Sequence, residues 1–511
     1  MLRLIAALFA AFALLAPVAA GADPADINAA ARGVVRIVII EKDGEQLVPI
    51  SHGTGFAVSP ERIVTNAHVV QEAHDNDKLL IGIVPSDGTS AVYGRLVTIS
   101  SRNDLALIAT TAPMHLPVLT IAGNPPTDSG AVTAVGYPMN VDRAQGLSPA
   151  DIFRSQPPVK SNGFLSGQRP TREFDSLLHT APIARGNSGG PLLDDCGRVI
   201  GVNSFGTESS SSDAEFYFAV STRELLPFLR ANSVAPVVNG MPCRSLADVE
   251  QQERERTSRE QLQAEARASA GEQTLALRRE EARREIEFSL LTEREDGMFL
   301  TLLLLMAAMG ASGLAIHAHH NGLKHNADVG FALAALATVG GAITWLNRPP
   351  FSEIEDRLQD RLRAEMTAED TGTIAKPAAG AQVCVLDPKR SRVTSAVASD
   401  VPFEWTADGC VNGRTQYGQA DGTWSRVLVP DSEAAVSVNR FDPATKEYRV
   451  ERYLLDHDAM ARARTARGEY EAPACGTANA ARDLGGKQQA ILSLLPESPN
   501  ERLVYACSQG S

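Results

Sequence analysis

Two apolar runs in the middle of the chain, Met298 to Ile316 and Val329 to Leu346, restrict its folding more than any other feature. Each is close to the roughly 20 residues that a helix needs to cross a bilayer, and no charge interrupts either. Burying two such helices in a soluble core would need a large apolar surround, which the flanking segments do not supply. The pattern predicts a transmembrane hairpin, with helices at 298–316 and 329–346 and a short loop at 317–328. Ala307, Ala311 and Ala315 recur at every fourth position, as do Gly330, Ala334, Thr338 and Ala342. That spacing of small residues lets two membrane helices approach closely. The loop holds His317, His319, His320 and His325, but His-Ala-His-His is no standard ligand spacing, and no metal site is expected.

The amino-terminal segment and the cysteines together suggest an exported chain. Met1 to Ala20 has one charge, Arg3, an apolar run from Leu4 to Leu15, and small residues leading to Ala20 and Ala22. This is the pattern of a signal peptide over 1–20, cleaved there or after 22. Six cysteines, none in a Cys-x-x-Cys pair, read in an exported chain as structural disulfides. Proximity in sequence favours Cys196–Cys243, Cys384–Cys410 and Cys475–Cys507. The expected location is a membrane, lipid around the hairpin, with both flanking regions on the exported side. The loop would then be cytosolic, where Lys324 is its one permanent cation and gives thin positive-inside support. A net charge of −13, with no basic patch, argues against nucleic acid as a partner.

Residues 23–243 read as β. Val34 to Ile40, Gly53 to Val58, Arg62 to Val70, Leu79 to Val84 and Ala91 to Ile99 are short β-branched runs broken by turn residues. A second set follows at 131–137, 163–167, 177–181, 199–205 and 216–220. Such runs predict all-β barrels or sandwiches, two in tandem with a cleft between them, closed by a helix at 222–232. From 244 to 297 the chain is rich in Glu, Arg, Gln and Ala, without proline beyond Cys243. That is a long charged helical stalk; its weak heptads leave a homo-oligomer through coiled-coil pairing open. After the hairpin come an amphipathic helix and linker at 351–382, then a small β-rich, disulfide-bonded domain at 383–511. Asp456-His457-Asp458 in that domain reads as a solvated turn or helix start.

Chemistry concentrates in three places. Gly186-Asn187-Ser188-Gly189-Gly190-Pro191 presents a hydroxyl within a glycine turn. There Gly186 lets its own N–H and that of Ser188 converge as an oxyanion site. A serine needs a base, and the imidazole of His68 suits that role. The imidazole needs a carboxylate to fix its tautomer, and Asp104, ahead of the apolar Leu105-Ala106-Leu107-Ile108, can be held partly desolvated. His68 would sit at the end of a β run, with Thr65 and Asn66 as its support. Gly186-x-Ser188-x-Gly190 also fits the nucleophile elbow of α/β-hydrolases. That fold runs Ser, acid, His along the chain, whereas the order here is His, Asp, Ser.

Thr65-Asn66-Ala67-His68-Val69-Val70, Asn103-Asp104-Leu105-Ala106-Leu107 and Gly186 to Pro191 together resemble the trypsin-fold serine proteases, specifically the bacterial HtrA/Deg-like branch. The resemblance spans residues 33–230. It implies two β-barrels with the active site between them, a protein or peptide substrate, and neither metal nor cofactor. It implies catalysis by His68, Asp104 and Ser188 and an oxyanion hole at the amides of Gly186 and Ser188. Ser204-Phe205-Gly206 would pair with the substrate backbone. Ile183, Phe218 and Val220 would line a specificity pocket for small or medium apolar side chains. The chain departs from the family in having the stalk and hairpin where a PDZ domain is expected. A flip of the Arg185–Gly186 peptide would dismantle the oxyanion site. The resulting expectation, with the location the bacterial resemblance implies, is a serine endopeptidase anchored in a bacterial inner membrane with its protease and C-terminal domains in the periplasm; the rival is a catalytically idle protease-fold scaffold whose C-terminal domain binds a partner.

Overall fold

Val34 to Ile40 is buried at every position because its strand is covered on both faces. The computed structural model describes residues 24–44, 46–88, 90–171, 174–207, 215–370, 380–394 and 398–509. The signal peptide expected at 1–20 lies outside them. Helix α1 (Pro24–Ala31) leads into β1 (Val34–Asp43), β2 (Gln46–Ser59) and β3 (Arg62–Thr65), then α2 (Ala67–Asp75), β4 (Leu79–Pro85), β5 (Val92–Ser100) and β6 (Leu105–Thr110). The strands close a barrel in the order β1-β2-β3-β6-β5-β4. Val35, Ile37 and Ile39 fill its interior with Ile63, Ile83 and Ile108. On the opposite face of β1, Val34 packs with residues of the second barrel, while Val38 and Ile40 pack with Val84.

The second barrel comprises β7 (Ile121–Ala122), β8 (Gly130–Gly136), α3 (Met139–Ala144), β9 (Val159–Gln168), β10 (Ser176–His179), β11 (Pro191–Leu193), β12 (Val199–Gly206), β13 (Tyr217–Ser221) and β14 (Val238–Asn239). Its order is β11-β8-β9-β10-β13-β12, and β11 also pairs with β12 to close it. Helix α4 (Thr222–Ala231) buries Leu225, Phe228 and Leu229 into the core shared by both barrels, on the apolar face that sequence periodicity marks.

A separate unit spans Arg254–Lys376. The charged segment and the first apolar run form one helix, α5 (Leu246–His320), followed by α6 (Lys324–Leu346) and α7 (Glu353–Asp370). Two of these helices, α5 and α6, are long and apolar enough to cross a membrane. Their connection is three residues, shorter than the loop expected at 317–328, because helical geometry continues through the histidines. In the apolar run of α5, Thr301, Leu304, Ala308, Ala311, Ser312 and Ala315 are shielded, and in α6 Ala327, Gly330, Ala334, Ala337, Gly340, Gly341 and Thr344. Steps of three and four recur, as in a left-handed pair. This is not the strict fourfold repeat read from the sequence, and Ala307 and Ala342 are exposed. Two apolar residues of the stalk, Ala282 and Ile286, pack on Leu358 of α7, flanked by Arg357–Glu293 and Arg361–Glu285 ion pairs, whereas Leu262, Leu275, Leu277 and Phe288 are exposed.

Residues 377–511 belong to one compact unit with residues 1–253. They form a nine-stranded antiparallel sheet from β15 (Gly380–Leu386) and β16 (Val401–Trp405) through to β23 (Glu501–Gln509), with helices α8 (His457–Gly468) and α9 (Ala480–Leu492) packed on it. Asp456 caps α8 by accepting from the Ala459 amide at 2.7 Å, which is the helix start expected there. The disulfides are Cys196–Cys243, Cys384–Cys507 and Cys410–Cys475. Proximity in sequence misassigned the last two. Cys384 and Cys507 are cross-strand neighbours on β15 and β23, brought together by sheet register rather than by chain distance. This sheet docks on the first 253 residues through a buried Arg392–Asp26 ion pair and an Asn239 side-chain hydrogen bond to the Val393 carbonyl at 2.7 Å.

Candidate active site

His68 is placed by a helix start, not by a strand end. β3 stops at Thr65, Asn66 takes extended geometry as N-cap, and His68 lies in the first turn of α2. Asn66 does not cap with its side chain; its Nδ2 donates to the Asp104 carbonyl at 2.8 Å. Asp104 adopts a left-handed conformation, φ 48°, which asparagine and aspartate tolerate better than most residues. In that conformation its carboxylate accepts the His68 backbone N–H at 3.1 Å and faces His68 Nδ1 at 3.0 Å. An anion is thus held at the N-terminus of α2, where the helix dipole favours it. Ser204 Oγ donates to the same carboxylate at 2.5 Å. Sequence reading gives Ser204 only a role in the substrate strand and misses this one; a lone serine on a β run carries no signal for it.

Ser188 sits in the turn before β11. Gly186 has φ 100°, and a Cβ there would lie 2.2 Å from the Tyr137 carbonyl; Gly189 has φ 86°, and a Cβ would lie 2.1 Å from the Thr54 carbonyl. Only glycine fits at either position. Among the described residues, the amide N–H groups of Gly186 and Ser188 donate to no protein acceptor. The Arg185 carbonyl accepts from the Met139 amide at 2.7 Å. Because a trans peptide sets N–H opposite to C=O, that bond also fixes the direction of the Gly186 amide.

His68, Asp104, Gly186, Ser188, Ser204, Phe205 and Gly206 all line one cleft of about 930 Å³, with Ile183 in its wall. Ser188 Oγ donates to the Ser204 carbonyl at 2.9 Å rather than to His68. Rotation about the serine Cα–Cβ bond is the adjustment that would redirect it, and catalytic hydrogen bonds often tighten only in the substrate complex. The His68 side chain is half exposed, whereas Asp104 is largely shielded.

Two residues expected in the specificity pocket lie elsewhere. Phe218 stacks on Phe205 with ring centroids 4.8 Å apart, and Val220 is in the shared core. The cleft is lined instead by Tyr217, with Phe174 and Glu215. On β13, Tyr217 pairs with Gly206 and Phe218 with Phe205, so Phe218 meets the cleft wall through the Phe205 ring. Burial, with a hydrogen bond to Glu215 Oε2 at 2.6 Å, pushes the Tyr217 phenol up to about 12. Behind the Gly186 turn, His52 Nε2 lies 3.1 Å from Asp142, which also binds buried Arg36 at 3.0 Å. Burial holds the His52 ring below its ordinary value, Arg36 adds to this, and Asp142 opposes it. Among the described residues, no group of three or more His, Cys, Asp or Glu side chains is placed to hold a metal ion.

A carboxylate on an imidazole, a hydroxyl in the same cleft and two free amides beside it are the equipment of acyl transfer. Residues 53–202 match the family model described as trypsin-like peptidase domain. This region is a trypsin-like peptidase domain homologous to the HtrA serine proteases. The chain is 31% identical over 235 residues to serine protease Rv3671c of Mycobacterium tuberculosis, covering 43% of this chain and 53% of that protein. It is 33% identical over 189 residues to serine protease HTRA4 of Homo sapiens, covering 36% of each. A serine endoprotease structure from Yersinia pestis aligns with a TM-score of 0.33 and 24% identity, over 42% of this chain and 67% of that one. The chain thus spans about half, or less, of the length of these curated relatives.

Proposed function

We propose that the protein is a serine endopeptidase held in a membrane, with its catalytic domain and its C-terminal domain on the exported side. Ser188 Oγ attacks the scissile carbonyl as His68 Nε2 takes its proton. Asp104 holds the other ring nitrogen, so the imidazole is presented in the tautomer that can accept. The negative oxygen of the tetrahedral intermediate is received by the amides of Gly186 and Ser188. His68 returns the proton to the leaving amine, and water releases the acyl group by the reverse sequence. Phe174, Ile183 and Tyr217 support a preference for apolar side chains next to the cleaved bond. The observation that carries the reading is the Asp104–His68 pair facing the same cleft as Ser188 and its two free amides.

The proposed location rests on α5 and α6, which are long enough to span a bilayer, and on three disulfides, which persist in oxidising compartments. An idle scaffold remains the competing reading, and the Ser188 hydrogen bond to the Ser204 carbonyl is what favours it. A fluorophosphonate probe applied to the full chain in detergent separates the two. Wild type should label and Ser188→Ala should not, and Asp104→Asn should slow casein turnover by about 10⁴-fold. Wild type that neither labels nor cleaves would leave the scaffold.

A further inference from the structure

We propose that Thr54, on the first barrel, is a positioning residue for the oxyanion site on the second barrel, acting through its hydroxyl. This rests on the serine-peptidase reading above. Thr54 is fully buried on β2, and each of its polar groups is engaged. Its Oγ1 accepts the Tyr137 amide at 3.0 Å and donates to the Gly186 carbonyl at 2.6 Å. Its N–H donates to the Ser188 carbonyl at 2.9 Å, and its own carbonyl accepts from Thr65 Oγ1 at 2.7 Å.

The Gly186 N–H lies in the peptide plane before its Cα, and the plane after decides where that Cα is held. The plane before it is fixed by Met139 N–H on the Arg185 carbonyl. The plane after it is held by the Thr54 hydroxyl on the Gly186 carbonyl and by Asn187 N–H on the Ala184 carbonyl at 3.0 Å. The two anchors are tied together through one short segment, since Tyr137, whose amide orients the Thr54 hydroxyl, stands two residues before Met139. Gly186 itself has no side chain to restrain it, and at φ 100° glycine moves freely among conformations closed to other residues. Within the turn Asn187 N–H on the Ala184 carbonyl restrains it, and Thr54 adds a restraint from the opposite barrel.

The chemistry of the link selects a hydroxyl. One end is an N–H and the other a C=O, so the bridging atom must accept and donate at once. Valine has the shape of threonine and does neither. In Thr54→Val, the Tyr137 amide and the Gly186 carbonyl would both be buried without that partner, which is costly for backbone groups. Rotation of the Gly186–Asn187 peptide toward the open cleft relieves this, and it shifts the Gly186 Cα and with it the position of the oxyanion amide.

The test measures kcat and KM on fluorescein-labelled casein, and inhibition by phenylboronic acid, for the full-length protein in detergent. Loss of one oxyanion donor costs about 10²–10³ in kcat, so Thr54→Val should lose about 10²-fold in kcat with KM within about twofold. Phenylboronic acid, whose tetrahedral adduct uses the same amides, should bind correspondingly less well. Thr54→Ser, which restores the hydroxyl, should recover kcat to within about fivefold of wild type. A merely structural role would not split kcat from KM, nor weaken the boronate selectively. Wild-type kcat in Thr54→Val, or equal loss in Thr54→Ser and Thr54→Val, overturns the proposal while leaving a working peptidase. If Thr54→Val does not fold, Thr54→Cys replaces it: its thiol is a weak donor and acceptor, and undiminished turnover there is equally fatal. A wild type without Ser188-dependent turnover overturns the peptidase reading and this inference with it.

Discussion

His179 gives the peptidase domain a pH-dependent weakness whose size follows from its surroundings. The ring is completely buried on β10, opposite Tyr217 in register, with ring centroids 5.9 Å apart. Among the described residues neither ring nitrogen has a well-formed hydrogen bond. Burial therefore depresses its pKa from 6.5 to about 4, with the Ala181 backbone and the Asn203 side chain offsetting this only in part. Above about pH 6.5 the imidazole is neutral in both folded and unfolded chains and contributes no pH dependence. As pH falls from there toward 4, the unfolded chain binds a proton that the folded chain refuses, and stability is lost. At 1.36 kcal/mol per pKa unit, that gap amounts to about 3 kcal/mol once the pH reaches 4. Domains are stable by only about 5–15 kcal/mol, so the loss is substantial. Hydrogen-exchange mass spectrometry on β10 and β13, corrected for the intrinsic pH dependence of exchange, reads the local opening free energy. Between pH 7.5 and 4 the wild type should lose about 3 kcal/mol more than His179→Phe, which keeps the stack on Tyr217 and has nothing to titrate. Equal losses in the two proteins, or an NMR titration of the His179 ring near 6.5, would refute the reasoning.

The Arg392–Asp26 pair should hold the C-terminal sheet on the first part of the chain. Arg392→Met strips a buried carboxylate of its guanidinium, a change that costs about 3–5 kcal/mol. Exchange in α1 should accelerate accordingly, and Asp26→Leu combined with Arg392→Met should restore protection; unchanged exchange in the single variant would count against docking through this pair. The topology predicts that alkaline phosphatase is inactive when fused at Gly322 and active when fused after Ser511, and an active Gly322 fusion would place the hairpin the other way round.

Features set by neighbouring residues were legible in the sequence. The turn around Ser188, the apolar face of α4, the helix start at Asp456 and most strand runs of both barrels follow from local backbone preference and periodicity, but the run expected at Arg62 to Val70 ends at Thr65 and continues as a helix. The triad positions were named from spacing and resemblance, and the fold brings them to one cleft. What failed did so for a shared reason. Alternation along β13 separates Phe218 and Val220 from Tyr217, yet it cannot say which set faces the cleft; the tertiary fold decides that. The hydroxyl–imidazole contact was expected, but the nearer acceptor in the folded chain is the Ser204 carbonyl.

The sequence by itself determined the classes of element, the apolar lengths of α5 and α6, and the residue types a serine hydrolase needs. Each of these depends on a residue and its near neighbours in the chain. Only the tertiary structure decided that Cys384 bonds Cys507 across 123 residues, that Ser204 supports Asp104, and that Thr54 reaches Gly186 across 132. Such contacts arise when strands remote in sequence are set in register. The register is chosen by the whole core at once, so no local pattern of residues encodes it.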